Sequence, residues 1–228
     1  MKVDRDSWAF KLAITPFLLL FFNVPAILAG LDGIPGWPAY VPLLILNCIV
    51  FLDLFTRRHA RNKDRFKRGL LVLSFLAFPI ALAVPYLEND LLWGSFVPLP
   101  VLIPGTLIEA SGGLLILYAR KILGNYGSVD IVLEEDHALI TEGPYKYVRN
   151  PMYSGFLLLL AGYSVALGGY VSSVVSSIFV FGVLHARTVL EEELLEARFG
   201  EEYRAYRKRS GRCLPRMTRR RADRESAR

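Results

Sequence analysis

The placement of the basic residues constrains this chain more than any other feature. All 27 Lys and Arg fall in five short intervals: 2–11, 57–68, 120–121, 146–149 and 187–228. The stretches 12–56, 69–119 and 150–186 hold none. Within them run apolar blocks at 12–52, 69–87 and 91–108, and about 20 apolar residues in a helix cross a bilayer of roughly 30 Å hydrocarbon thickness. If the first block leaves the cytosol, every basic cluster returns to one side. The opposite loops then keep only Asp32, Glu88 and Asp90, which is the positive-inside arrangement. A nucleic-acid-binding protein has no reason to sort its charges this way, so no nucleic acid is expected as a partner. The composition agrees: 53% hydrophobic residues and a mean hydropathy of +0.36.

The expected fold is therefore all-α, a polytopic integral membrane protein of about six transmembrane helices. Spans are expected near 8–29, 38–55, 69–87 and 101–122. Asp4 and Asp6 spoil the positive start of a signal peptide, so the first apolar stretch reads as a retained span. The segment 56–68, with seven basic residues against Asp64, reads as a loop that fixes topology and touches anionic head groups. Residues 151–184 are uncharged and would measure about 51 Å as one helix, too long for one crossing. Gly168-Gly169 at their midpoint predicts a helical hairpin. Three regions result: N-terminal transmembrane helices over 1–100, a C-terminal membrane subdomain over 101–215 and a basic, disordered tail over 216–228.

Glu109 falls about 12 Å inside the fourth span at ~1.5 Å per residue. A carboxyl at that depth is functional by default, or else hydrogen-bonds a neighbouring helix or reaches the outer interface. Ala110, Ser111, Gly112 and Gly113 beside it let another helix approach closely. Cys48 and Cys213 have no metal-ligand or disulfide spacing and read as bystanders. No metal site is expected.

The polar interval 125–153 is the longest connection, and long ordered connections are often functional. It holds His137, Gly143-Pro144, four tyrosines and Arg149-Asn150-Pro151 where the chain re-enters the membrane. Taken singly, each has a bland reading: a surface histidine, a turn, a helix cap with Pro in the first turn. After the hairpin come Arg187, Glu191-Glu192, and Leu190, Leu194, Tyr203 and Tyr206 at helical spacing.

The combination is more specific. His137-x-Leu139-Ile140, Gly143-Pro144-Tyr145 and Arg149-Asn150-Pro151-x-Tyr153-x-Gly155, followed by Arg187, Glu191-Glu192, Phe199-Gly200-x-x-Tyr203-x-x-Tyr206 and Leu214-Pro215-Arg216, resemble the C-terminal signature of the isoprenylcysteine carboxyl methyltransferases. The resemblance covers about 125–216. It implies that S-adenosylmethionine binds a pocket made by a cytoplasmic loop and helix, lined by His137, Ala138, Leu139, Ile140, Tyr145, Asn150, Pro151, Met152 and Tyr153. It implies that Glu191 holds a polar part of the cofactor and that Arg187 faces the carboxylate of a lipophilic or prenylated substrate entering from the bilayer. Asn150 departs from the family, whose prenylcysteine enzymes most often carry His there, and this bears on the substrate more than on the cofactor.

The residues themselves allow this chemistry. Methyl transfer to a carboxylate removes no proton and needs in-line approach, desolvation and complementary charge. A guanidinium can hold a carboxylate with two prongs. Arg187 and Glu191, four residues apart, share a helix face, and their plain alternative is an intrahelical ion pair. No glycine-rich dinucleotide fingerprint is present. The competing readings are a phospholipid N-methyltransferase, a nicotinamide-dependent membrane reductase of the sterol-reductase type, and a non-catalytic membrane scaffold or transporter.

Overall fold

The computed structural model describes residues 97–124 and 138–216, together with single helical positions between 69 and 92. The expected spans at 8–29 and 38–55, the loop 56–68, Cys48, His137 and the tail beyond Arg216 lie outside the described residues.

Among the continuously described residues, four α-helices follow in chain order: α1 Leu99–Leu123, α2 Pro151–Ala166, α3 Tyr170–Phe199 and α4 Glu201–Arg209. A 3-10 turn at Gly143–Lys146 precedes α2. Among the described residues there is no strand, and one isolated parallel bridge joins Val148 to Gly211. α1 and α3 are long and apolar enough to cross a membrane. α2, with 16 residues, is about 24 Å long and shorter than a typical span. Their outer faces carry Leu107, Ile108, Leu114, Val171, Val174, Val175, Ile178 and Phe179, all exposed. An apolar surface of that extent belongs in lipid, so the chain is a membrane protein.

The expected hairpin is present. α2 and α3 are joined by Leu167, Gly168 and Gly169, with Gly168 at φ 73°, a left-handed conformation that favours glycine. The Asn89 side-chain amide donates to the Leu167 carbonyl. At the start of α3 the Glu88 carboxylate accepts from the backbone N–H of Val171 (3.1 Å) and Ser172 (2.7 Å), satisfying donors that a helix N-terminus otherwise leaves open.

α1 packs against α2 along a stripe of small residues. The buried face of α1 runs Gly105, Glu109, Gly112, Ile116 and Ala119. A Cβ on Gly112 would lie 2.5 Å from the Leu159 backbone nitrogen, and one on Gly155 would lie 2.6 Å from Ile116 Cγ1. A Cβ on Gly162 would collide with the backbone of Glu109. Only glycine lets two helices meet this closely. Ile116, Leu159, Leu160, Tyr163, Ala166, Val180 and Leu184 fill the space between helices. Two buried hydroxyls are satisfied within their own helices: Ser164 Oγ donates to the Leu160 carbonyl at 2.8 Å and Thr188 Oγ1 to the Leu184 carbonyl at 2.9 Å, the usual resolution in a bilayer.

Glu109 is 1% exposed. It therefore does not reach the outer interface. Among the described residues neither of its carboxyl oxygens has a hydrogen-bond partner.

Candidate active site

Pro at the first position of α2 suits the helix start, because its missing N–H would have no intrahelical partner there. Asn150 occupies the cap position, yet its side chain makes no capping bond. Its Nδ2 is buried and has no partner among the described residues. Two residues into α2, Tyr153 meets α3. Its phenol donates to Glu191 Oε1 at 2.5 Å and accepts from Arg187 Nε at 3.3 Å. Arg187 Nη2 lies 3.5 Å from Glu191 Oε1, so the intrahelical ion pair exists. The Arg187 side chain is 8% exposed and that of Glu191 is 26% exposed. The helix spacing places the cation and the carboxylate on one face, and the tyrosine from α2 closes the triangle.

A second cluster ties this corner together. Arg149 Nε donates to Glu192 Oε1 at 2.9 Å, and Arg212 Nη2 donates to Glu192 Oε2 at 2.8 Å. Arg149 Nη1 also donates to the Ser210 carbonyl at 2.6 Å. The segment after α4 thus runs back beside the loop before α2. The Arg149 N–H donates to the Gly211 carbonyl at 2.8 Å and the Asn150 N–H to the Arg212 carbonyl at 3.0 Å, while Gly211 N–H returns to the Tyr147 carbonyl at 3.0 Å. Ser154 Oγ donates to the Cys213 carbonyl at 2.5 Å. Residues 210–213 form a strap across the entrance of α2.

Aromatic residues of α4 anchor the strap from inside. Tyr203 is fully buried and meets Tyr206 edge-on at 6.0 Å. Tyr206 donates its hydroxyl to the Tyr145 carbonyl at 2.7 Å. Burial pushes the Tyr206 hydroxyl up to about 12, with the Arg149 charge opposing. Burial also raises Tyr145 and Tyr203, with the neighbouring Tyr206 adding to it at Tyr145 and the Glu192 charge at Tyr203. These phenols stay neutral and act as hydrogen-bonding and packing groups. The Cys213 thiol is likewise raised by burial, against the Arg212 charge.

Of the residues named from the sequence, Tyr153, Arg187 and Glu191 are brought into direct contact, and Asn150 and Pro151 stand at the start of the same helix. Tyr145 is buried, and Met152 is half-buried. Ala138 is exposed, and Leu139 and Ile140 are half-buried at the start of the described loop. Sequence reasoning did not assign the Arg149–Glu192–Arg212 network. Its only trace was the presence of Arg149 and Glu192 in the two motif blocks.

Comparison with known proteins points the same way. The family model for phospholipid methyltransferases matches residues 101–202. The protein-S-isoprenylcysteine O-methyltransferase of Schizosaccharomyces pombe is 37% identical over 81 residues, covering 36% of this chain and 34% of that protein. The rat enzyme of the same name is 33% identical over 119 residues, 48% of this chain and 42% of its own length. The methanethiol S-methyltransferase of Pseudomonas deceptionensis is 41% identical over 76 residues, 33% of this chain and 28% of its own length. The chain thus spans less than half the length of each of these relatives. Over its C-terminal region, the chain is thus similar both to the phospholipid methyltransferases and to enzymes named protein-S-isoprenylcysteine O-methyltransferase.

Proposed function

We propose that the chain is a membrane methyltransferase that uses S-adenosylmethionine to methylate a carboxylate on a lipophilic acceptor, as in isoprenylcysteine carboxyl O-methylation. The observation that carries this reading is the Tyr153–Arg187–Glu191 cluster, a cation and a carboxylate side by side at the mouth of an apolar helical hairpin. The names of the yeast and rat relatives support the acceptor class.

The residues fit an amino-acid-derived cofactor. A zwitterionic tail needs both an anion for its ammonium and donors for its carboxylate, and Glu191 and the buried Asn150 Nδ2, unpartnered among the described residues, supply one of each. When bound, S-adenosylmethionine supplies a methyl group on a sulfonium, which passes to the acceptor oxygen while the sulfur keeps the bonding pair. No general base is needed, in keeping with neutral tyrosines around the site. In this reading Arg187 orients the acceptor carboxylate, and Tyr153 fixes Arg187 and Glu191 against each other. The apolar hairpin admits the acceptor from lipid and excludes water, which strengthens each charge interaction at the site. A phospholipid amine would set a second cation beside Arg187 and is disfavoured. A nicotinamide-dependent reductase or a scaffold gains nothing from the family matches. The methanethiol enzyme makes a thiol acceptor the second reading.

The test is methyl transfer by the purified full chain in detergent, from labelled S-adenosylmethionine to a prenylcysteine, a small thiol and phosphatidylethanolamine. A base-labile methyl ester formed only on the prenylcysteine is the expected result. Arg187→Ala should lower that rate about ten- to hundredfold, the loss of one charge-assisted hydrogen bond in the transition state. Methylation of the thiol or the amine in preference overturns the carboxylate reading.

For topology we propose six crossings with both termini, 56–68 and 125–153 in the cytosol. Cysteine labelling from outside should then reach 31–36 and 88–98 but not 56–68.

A further inference from the structure

The loop before α2 and the end of α4 border an open pocket of about 470 Å³, whose lining among the described residues is Thr141, Lys146, Tyr147 and Arg209. All four side chains can donate hydrogen bonds, two are cations, and none is acidic. Several cations nearby are held in ion pairs: Arg204 and Arg207 pair with Glu196, Arg204 also with Glu201, and Arg149 and Arg212 with Glu192. Lys146 and Arg209 pair with no carboxylate among the described residues. Each is held instead over an aromatic ring, Lys146 Nζ at 6.0 Å from the Tyr147 centroid and Arg209 Cζ at 5.8 Å from that of Tyr206. A ring positions a cation without cancelling its charge. The pocket therefore offers two positioned positive charges and two hydroxyls, with no counter-charge among its described lining residues.

Its lining shares no residue with the Tyr153–Arg187–Glu191 cluster. Tyr145 and Tyr206 are buried, whereas Tyr147 is 61% exposed. Tyr147 lies just before Pro151, where α2 begins its apolar course. Lys and Tyr at such a position belong to the head-group layer of a bilayer. The volume falls in the range of roughly 300–1,000 Å³ usual for small ligands.

We propose that this pocket binds the phosphate of an anionic phospholipid from the leaflet at which α2 starts, docking the loop and α4 on the membrane surface. The site stands independently of the methyl-transfer reading, since neither its lining nor its ligand enters that reaction. Lys146 and Arg209 supply the charge, and Thr141 and Tyr147 can donate to phosphate oxygens. The lipid chains stay in the bilayer.

The test is equilibrium binding of a fluorescent phosphatidylglycerol to the purified full chain in detergent micelles. The competitors are unlabelled phosphatidylglycerol, phosphatidylcholine, inorganic phosphate and S-adenosylhomocysteine. Only unlabelled phosphatidylglycerol should displace the probe efficiently. Each basic residue near a membrane surface contributes enough that Lys146→Gln or Arg209→Gln should weaken binding about fivefold, and the pair about thirtyfold. Both positions are exposed, so folding should be unaffected, and Lys146→Arg with Arg209→Lys should restore most of the affinity. Lys208→Gln, next in sequence to Arg209 but outside the pocket lining, should change nothing. An equal loss from Lys208→Gln would mean diffuse surface charge and overturn the site. Displacement by inorganic phosphate as readily as by lipid, or by S-adenosylhomocysteine, would assign the pocket to a soluble anion or to the cofactor and overturn it equally. Undiminished binding by the double variant would do the same.

Discussion

Arg149 and Glu192 are 43 positions apart in the chain and meet at 2.9 Å, with side chains 9% and 6% exposed. Glu192 also holds Arg212 at 2.8 Å, so one carboxylate fastens the loop before α2, helix α3 and the C-terminal strap. It follows Glu191 directly, yet the two acidic residues face different partners: Glu191 faces Tyr153 and Arg187, Glu192 faces Arg149 and Arg212. Helical geometry alone separates them, since adjacent residues on a helix point about 100° apart.

Breaking a buried pair from one side leaves an uncompensated charge, which costs about 3–5 kcal/mol. Glu192→Ala and Arg149→Ala should each lower thermal stability in detergent by an amount of that order. The two changes should not add, because the second removes a charge that the first has already stranded. A double-mutant cycle read by thermal unfolding checks this. Additive losses would mean that the pair contributes nothing as a pair.

The Tyr153 phenol both donates to Glu191 and accepts from Arg187. Tyr153→Phe keeps the ring and removes the bridge, so the fold should persist while the two charges lose their common anchor. Binding of S-adenosylhomocysteine, measured by calorimetry, should weaken about ten- to hundredfold, as expected for one lost hydrogen bond to a charged group. Glu191→Ala should weaken it at least as much. Unchanged binding by both variants would remove this corner from the cofactor site.

The helical frame was legible in the sequence because membrane solvent makes it so. A span expected at 101–122 is α1 at Leu99–Leu123, and a hairpin turn expected at Gly168-Gly169 is where α2 ends and α3 begins. Hydrophobic length and glycine are local signals, and each suffices alone. The Arg187–Glu191 pair was legible for the same reason, since i,i+4 spacing on a helix dictates proximity. The strap was not. Arg149 reaches Ser210 only because α4 turns the chain back after Gly200, at φ 53°, and no periodicity encodes that return. Asn150 was read as a possible cap from its place before Pro151, but its buried side chain makes no capping bond.

The α1–α2 contact sets up a sharp comparison among glycines. A Cβ at Gly112 would press on the α2 backbone, whereas one at Gly182 would meet nothing within 4 Å. Gly112→Ala should therefore force the helices apart and cost about 1–3 kcal/mol. Gly182→Ala should be neutral or stabilise α3 by up to about 1 kcal/mol through reduced backbone entropy in the unfolded chain. Thermal unfolding of the two variants side by side decides it. Equal effects would mean that the helices have room to shift.

Glu109 poses the opposite problem, a polar group where the packing asks for none. It lies on the buried face of α1 against Gly162, and among the described residues both of its oxygens lack hydrogen-bond partners. Burying a polar group unpaired costs about 1–3 kcal/mol by mutational measures, so the carboxyl is a liability to the fold as it stands. Replacing such a group by an apolar one of similar shape is close to neutral or stabilising. Glu109→Leu should therefore melt at or above the temperature of the parent, and Glu109→Gln close to it. Measuring methyl transfer on the same samples separates stability from function. Full methyl transfer in a stabilised Glu109→Leu chain would show the carboxyl to be dispensable, and lost transfer in that same stable chain would place it in the proposed reaction. A fall of more than about 1 kcal/mol in stability for both variants would sink the premise, because it would mean that the carboxyl holds the helices together.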